Sequence, residues 1–173
     1  MKKIVFSILF AATLMGAANV QAQKYALIDM EYILKNIPAY EVANEQLTTI
    51  TKRWQEEVDK VQKEAQDLYK KFQADLVFLS PEMKTKQETE IVSKEQEAQD
   101  LKRKYFGTDG ELIKKRESLI KPIQDEIYQA VKDISTAKGY TTIVDRASAM
   151  SIIYASPQID ISNDVLTKLG FSK

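Results

Sequence analysis

A repeating apolar pattern occupies the middle of the chain, from Ala39 to Lys138. In its first half, apolar residues recur at steps of three and four positions, the spacing of a helix that packs lengthwise on a partner. These residues are Tyr40, Ala43, Leu47, Ile50, Trp54, Val58, Val61, Ala65, Leu68, Phe72, Leu76 and Leu79. Ser80 suits a helix N-cap and Pro81 a first helical residue, so a second long helix is predicted to start there.

The two predicted helices match each other in one antiparallel register. When the numbers of facing residues sum to about 159, apolar positions meet repeatedly. The facing pairs include Leu76 with Met83, Leu68 with Ile91, Val58 with Leu101, Trp54 with Tyr105 and Leu47 with Leu112. We therefore predict an antiparallel helical hairpin with arms roughly 60 Å long, at about 1.5 Å per residue. Its base is expected to be rigid, whereas Tyr69, Phe72 and Phe78 in its outer half are expected to be poorly covered.

The second arm is interrupted by the segment 106–110, which contains Gly107 and Gly110. Each glycine inside a helix costs about 1 kcal/mol relative to alanine, so a bend is expected. Two explanations fit the sequence. Gly107 would make room for the Trp54 side chain, or the segment would be a hinge that lets the outer arm move.

The two ends of the chain have a different, β-rich pattern. Residues 24–30 are expected to form a buried strand, and residues 31–37 a short helix that Pro38 ends. Runs rich in β-branched residues at 140–145 and 151–155 predict two strands joined as a hairpin by residues 146–150. A last short helix is expected from Asp164 to Leu169, capped by Ser162 or Asn163 and closed by Gly170.

This order of elements predicts an α+β fold, mostly α, in which a long antiparallel coiled-coil hairpin is inserted between the strands of a small β-body. The body would comprise residues 23–38 and 122–173, and the protruding hairpin residues 39–121. A two-helix hairpin is too thin to bury much apolar surface, and the remaining residues are few for an independent core. The shortage points to an oligomer that shares one core.

The first 22 residues are typical of a secretory signal peptide. Lys2 and Lys3 precede an apolar run, and Val20-Gln21-Ala22 resembles a cleavage site. The alternative, a transmembrane anchor, needs about 20 apolar residues, and this run is shorter. We expect export and cleavage near Ala22, which leaves a mature chain that starts near Gln23.

Composition then removes several classes of function. The chain has no cysteine and no histidine, so imidazole-based catalytic triads and most zinc sites are unavailable. Without Lys2 and Lys3, 23 basic residues remain against 25 acidic ones, which does not suggest a nucleic-acid-binding protein. We expect no enzyme activity, catalytic residue, metal, cofactor or small-molecule substrate.

Two surface features leave alternatives open. The basic triplets at 102–104 and 114–116 fit either a solvated helix face or binding of acidic clients or head groups, which would include peripheral contact with a membrane. The aromatic and apolar residues of the arms fit either internal packing or an open surface that holds non-native protein. The candidates for client contact are Tyr69, Phe72, Val77, Phe78, Leu79, Tyr105 and Phe106.

Several short blocks resemble the Skp/OmpH-like periplasmic chaperones of outer-membrane proteins. They are Leu27-Ile28-Asp29-Met30-Glu31-Tyr32-Ile33-Leu34 with Ile37-Pro38, Lys121-Pro122-Ile123, Gly139-Tyr140, Ile143-Val144-Asp145, Ser151-Ile152-Ile153-Tyr154, Asp160-Ile161-Ser162 and Asp164-Val165-Leu166. The coiled arms are unspecific, because any long coiled coil matches them. One departure is that the best-known members are strongly basic, whereas this chain is nearly neutral.

The resemblance implies a jellyfish-shaped homotrimer whose strands form a central body and whose three hairpins surround a cavity. Such chaperones need no ATP, bind unfolded outer-membrane proteins and prevent their aggregation. The residues expected in the trimer core are Ile28, Ile143, Val144, Ile152, Ile153 and Tyr154. The rival hypothesis is a structural coiled-coil spacer or adaptor of the cell envelope that binds one folded partner.

Overall fold

The computed structural model describes residues 23–149 and 151–171. The predicted signal segment therefore lies outside the described residues, as does Met150. In chain order the elements are β1 (Tyr25–Ile28), α1 (Met30–Lys35), α2 (Pro38–Asp75), α3 (Pro81–Phe106), α4 (Glu111–Lys138), β2 (Thr142–Asp145), a 3-10 turn (Pro157–Ile159) and α5 (Ser162–Lys168). The chain is thus mostly helical with a small two-stranded sheet.

Helix α2 runs outward and α3 returns along it. The turn between them forms because the Ser80 hydroxyl accepts a hydrogen bond from the backbone N–H of Met83, and Pro81 occupies the first turn of α3. Farther down, the ring of Tyr105 stacks on that of Trp54, with centroids 4.8 Å apart and planes 5° from parallel. This contact joins two residues that the sequence register places opposite each other.

The predicted interruption of the returning arm is present between α3 and α4. A Cβ on Gly107 would lie 2.4 Å from the carbonyl oxygen of Arg103, and one on Gly110 would lie 2.8 Å from the carbonyl oxygen of Tyr105. The interpretation that Gly107 makes room for Trp54 is therefore wrong. Glycine is needed because the backbone of the preceding turn comes too close for any side chain.

The main core lies where the base of the hairpin meets the strands and the short helices. Its buried residues are Ala26, Ile28, Ile33, Leu34, Ile37, Ala43, Leu47, Ile120, Ile123, Ile127, Ala130, Ile134, Ile161, Val165 and Leu166. They come from β1, from every helix except α3, and from Ile37 and Ile161, which directly precede α2 and α5. Helix α4 ends at Gly139, whose φ of +70° is the left-handed conformation that glycine adopts most readily.

Strands β1 and β2 pair in parallel, from Tyr25 opposite Thr142 to Ile28 opposite Asp145. Parallel neighbours cannot be joined by a tight turn, and here the connection is formed by α1 and the whole helical hairpin. On its other edge β1 makes a single bridge, between Leu27 and Asp160. Both edges of β1 are therefore occupied within the chain.

The predicted strand at 151–155 is wrong for the described residues, which contain no strand there. The chain leaves β2 through Arg146, which pairs with Asp29 and Asp160, and residues 151–155 do not pair with the free edge of β2. The capping of α5 also differs from the prediction. Its N-cap residue is Ile161, and the Ser162 hydroxyl instead accepts from the Asp29 N–H at 2.8 Å and donates to Asp160 at 2.6 Å. Gly170 follows α5 with φ +85°, as predicted.

Candidate functional site

The tip of the hairpin exposes two large apolar side chains next to each other. Val77 is 88% exposed and Phe78 is 87% exposed. They follow the end of α2 and precede the Ser80 cap, so no facing helix is available to cover them. Met83, in the first turn of α3, is half exposed beside them in sequence. Water-exposed apolar groups concentrated at one point favour binding of other apolar surfaces.

The other candidate client-contact residues divide into two groups. Tyr69 is half exposed on α2, and Leu79 and Phe106 are partly buried. Phe72 and Tyr105 are each only 7% exposed. The expectation that Phe72 is poorly covered is wrong, since Phe72 lies on the same stripe as the buried Val61 and Ala65, between the arms. Sequence reasoning also did not include Met83, because it assigned that residue to face Leu76.

The contact between Trp54 and Tyr105 also includes a carboxylate. The Tyr105 hydroxyl donates a hydrogen bond to Oε2 of Glu57, 2.9 Å away. This hydrogen bond, with burial of the hydroxyl as a smaller cause, raises the pKa of Tyr105 above its ordinary value. Phe106 packs edge-on against Tyr105, with ring centroids 6.3 Å apart. The last turn of α3 is therefore fastened to α2.

The hairpin has a concave surface on the body side of this contact. An open groove of about 900 Å³ runs between α2 and the start of α4. It is lined by Asn44, Leu47, Thr48, Thr51, Lys52, Gln55, Glu56, Asp59, Leu112 and Arg116. Leu47 on this wall is buried and Leu112 packs against the main core, so the apolar seam continues at this level with polar α2 side chains beside it. The expectation of a rigid base stays a prediction.

Charges on the two arms balance each other level by level. Residues 100–121 hold seven basic and four acidic side chains, whereas residues 38–59, which lie opposite, hold two basic and five acidic ones. Residues 60–99 hold seven basic and eight acidic ones. Lys94 bridges Glu97 at 2.9 Å and, across the arms, Glu64 at 3.3 Å, and hydrogen bonds to these two carboxylates raise its pKa. The basic triplets therefore do not create a positive zone on the arm.

A second exposed apolar surface lies on the body. Ile153 is fully exposed and Tyr154 is 84% exposed, while Val144 on β2 is partly exposed. Of the other trimer-core candidates, Ile28 is buried within this chain, and Ile143 and Ile152 are partly buried. Among the described strands, only β1 pairs with β2, so the second edge of β2 carries no strand partner.

The loop that carries this surface is fixed by an ion-pair cluster. Arg146 bridges Asp29 at 3.2 Å and Asp160 at 3.3 Å, and Asp145 accepts hydrogen bonds from the N–H groups of Met30 and Ala147. Sequence reasoning did not identify this cluster. The available signal was an aspartate placed directly after each of the strand runs at 24–28 and 140–144, with a single arginine beside the second.

Over residues 23–149 and 151–171, no group of three acidic side chains is placed to hold a metal ion. In the same ranges no helix is both long and apolar enough to cross a membrane.

Comparison with known proteins supplies relatives along nearly the whole chain. The family model described as "Outer membrane protein (OmpH-like)" matches residues 24–169. A curated relative from Yersinia enterocolitica, named "Chaperone protein Skp", is 28% identical over 171 residues, covering 98% of this chain and 99% of its own length. Proteins of the same name from Photorhabdus luminescens and Yersinia pestis are 26% and 29% identical, with the same coverage.

Among solved structures, this fold is similar to a putative outer membrane chaperone (OmpH-like) from Caulobacter crescentus CB15. The TM-score is 0.67, with 14% sequence identity, over 89% of this chain and 88% of the other. At this identity the likeness concerns the fold alone. The expectation that the chain is not an enzyme agrees with its curated relatives, which are named chaperones. With the family model matching 24–169, the chain belongs to the OmpH-like outer membrane protein family.

Proposed function

We propose that this protein is an ATP-independent holdase of the periplasm that binds unfolded outer-membrane proteins and prevents their aggregation. The observation that carries the proposal is the exposed apolar pair Val77 and Phe78 at the end of a long protruding hairpin. Membership in a family whose curated relatives are named chaperones supports it. Export through the predicted signal segment 1–22 belongs to the same proposal.

The protruding hairpin comprises residues 39–121, and client contact is assigned to its outer part. Val77, Phe78 and Met83 offer apolar contact at the tip, and Tyr69 extends this surface along α2. Each contact is weak alone. Several arms that act on one chain raise the effective concentration of contacts and retain the client without a specific pocket.

The arms are brought together by a homotrimer built on the body, residues 23–38 and 122–173. Ile153, Tyr154 and the open edge of β2 support this assignment, because an exposed apolar loop beside an unpaired strand edge is a template for pairing with another chain. Burying Ile153 and Tyr154 would also add apolar surface to the core that one chain forms by itself.

Retention of clients by this protein rests on apolar contact rather than on net charge. The facing stretches of the arms are close to neutral, so long-range attraction to an acidic client is small. Charge-driven binding weakens as salt screens it, whereas apolar contact does not. We expect binding of clients to change little between low and high salt.

An aggregation assay tests the proposal. A urea-unfolded outer-membrane barrel protein is diluted with the mature chain at several ratios, and light scattering is followed at low and high salt. We expect suppression of scattering by the unaltered protein, and loss of suppression in the double variant Val77→Ser, Phe78→Ser. The matched control is Val42→Ser, Tyr128→Ser, which also removes one exposed aliphatic and one exposed aromatic side chain but leaves the tip intact.

Failure of the unaltered protein to suppress aggregation at several-fold molar excess would contradict the holdase function. That outcome would favour a spacer or adaptor that binds a folded partner. If the tip variant and its control suppress aggregation equally, the holdase function would still be supported, but the tip would not be the client site.

A further inference from the structure

The two arms of the hairpin differ at the level of the α3–α4 interruption. Helix α2 passes this level without a break, whereas the returning arm is divided between Phe106 and Glu111. Gly107 and Gly110 both have extended backbone, with ψ of 170° and 168°, so the axes of α3 and α4 are not held in line by helical hydrogen bonds. The returning arm therefore consists of two separate helices, whereas α2 is continuous.

Packing differs on the two sides of the break. On the tip side, Val58, Val61 and Ala98 close the seam between α2 and α3. On the body side, an open groove lies along α2 and the first turns of α4, with Leu112 and Arg116 on its wall. The seam is therefore closed on the tip side of the break, whereas the body side carries an open groove beside the core residue Leu47.

We propose that Trp54, Tyr105 and Glu57 form a latch that holds α3 on α2 at this level and so limits how far the outer arm swings. The aromatic stack fixes the last turn of α3 laterally, and the hydrogen bond from the Tyr105 hydroxyl to the Glu57 carboxylate fixes its rotation. A hydrogen bond to a charged group is stronger than one between neutral groups. Release of the latch frees the end of α3 without unfolding either helix.

The latch concerns the arm of this chain alone and holds whether or not the chain is a holdase. In a holdase, the latch would make the width of the space between the arms depend on a contact far from the tip. The test below uses no client, so its failure is distinguishable from a failure of the aggregation assay.

The experiment measures distances between two spin labels by pulsed electron paramagnetic resonance. Since the chain has no cysteine, labels are introduced at Thr136→Cys on α4 and Thr89→Cys on α3. Both threonines are exposed, and their hydroxyls bond only within their own helices. Labelled chains are mixed with an excess of unlabelled chains so that each assembly holds at most one labelled pair.

We expect one narrow distance distribution for the unaltered protein and a broad one for Tyr105→Leu. Tyr105→Phe and Glu57→Ala remove the hydrogen bond and keep the stack, so we expect them to increase the open population about fivefold. The control is Tyr69→Phe, whose hydroxyl accepts only from Gln73 on the same helix, and it should leave the distribution unchanged. Trp54 is the only tryptophan, so its fluorescence quenching by acrylamide should rise in the same variants.

A broad distribution in the unaltered protein, or a narrow one in Tyr105→Leu, overturns the latch. If Tyr105→Leu lowers the helix content, the latch is tested with Tyr105→Phe and Glu57→Ala instead. Distributions that match the unaltered protein in both of these variants overturn it as well.

Discussion

Phe72 and Phe78 have the same side chain and opposite surroundings. Phe72 is 7% exposed between the arms, and Phe78 is 87% exposed at the tip. Replacement of Phe72 by alanine removes buried apolar atoms and leaves a cavity, so we expect the free energy of unfolding to fall by about 3–5 kcal/mol. Urea unfolding followed by far-UV circular dichroism, at one fixed protein concentration, measures this change.

Phe78→Ala is the control for that prediction. It removes the same atoms from a site that is already in water, so its expected effect is within about 0.5 kcal/mol. Equal destabilisation by the two variants would contradict the burial of Phe72, and a large effect of Phe78→Ala would show that the tip packs against another surface.

The sequence pattern predicted contacts between individual residues where both residues were apolar and in register. Trp54 and Tyr105 are such a pair, and they stack. The pattern could not predict that Glu57 accepts the Tyr105 hydroxyl, because a carboxylate on a polar helix face has many neighbours that sequence alone does not rank. It also misjudged Phe72, because the number of apolar residues on the facing arm says little about coverage by the aliphatic parts of long polar side chains.

At the scale of elements, Gly139 decides where the long helix α4 ends. Its φ of +70° is unfavourable for a residue with a Cβ, and no atom lies within 4 Å of where that Cβ would be. Gly139→Ala should therefore destabilise by backbone strain alone, about 1–2 kcal/mol, without a steric clash. Gly139→Asn should cost less, because asparagine tolerates this conformation better. Thermal or urea unfolding of the two variants checks the order, and equal stability of Gly139→Ala and the unaltered protein would contradict it.

The ends of helices and strands could be predicted where neighbouring residues determine them. They could not be predicted where residues far away in the sequence determine them. The Ser80 cap, the break at Gly107 and the closing residues Gly139 and Gly170 all follow from short-range backbone rules. The missing strand at 151–155 has a distant cause. Its β-branched residues favour a strand, but Arg146 pairs with Asp29 and Asp160 where the chain leaves β2, and residues 151–155 do not pair with the free edge of β2.

At the scale of the whole molecule, the amount of buried surface is the main argument for association. The single chain has one compact core at the base of the hairpin, and the arm beyond it is only two helices thick. Exposed Ile153 and Tyr154 lie in the loop that Arg146 ties to Asp29 and Asp160. The ion pairs hold the two ends of this loop, Arg146 and Asp160, together in the single chain, which lowers the ordering cost of pairing the loop with a second chain.

The substitution Ile153→Asp tests that association directly. Since the Ile153 side chain is fully exposed in the single chain, an aspartate there costs little within the protomer, but it would place an unpaired charge inside a subunit interface. We expect the mass measured by light scattering to fall from that of three chains to that of one, while the far-UV circular dichroism of the helices stays nearly unchanged. Val92→Asp, at an exposed position of the outer arm, is the matched control and should leave the mass unaltered. A mass equal to three chains in Ile153→Asp would remove Ile153 from the interface, and a single-chain mass in the unaltered protein would reject the trimer itself.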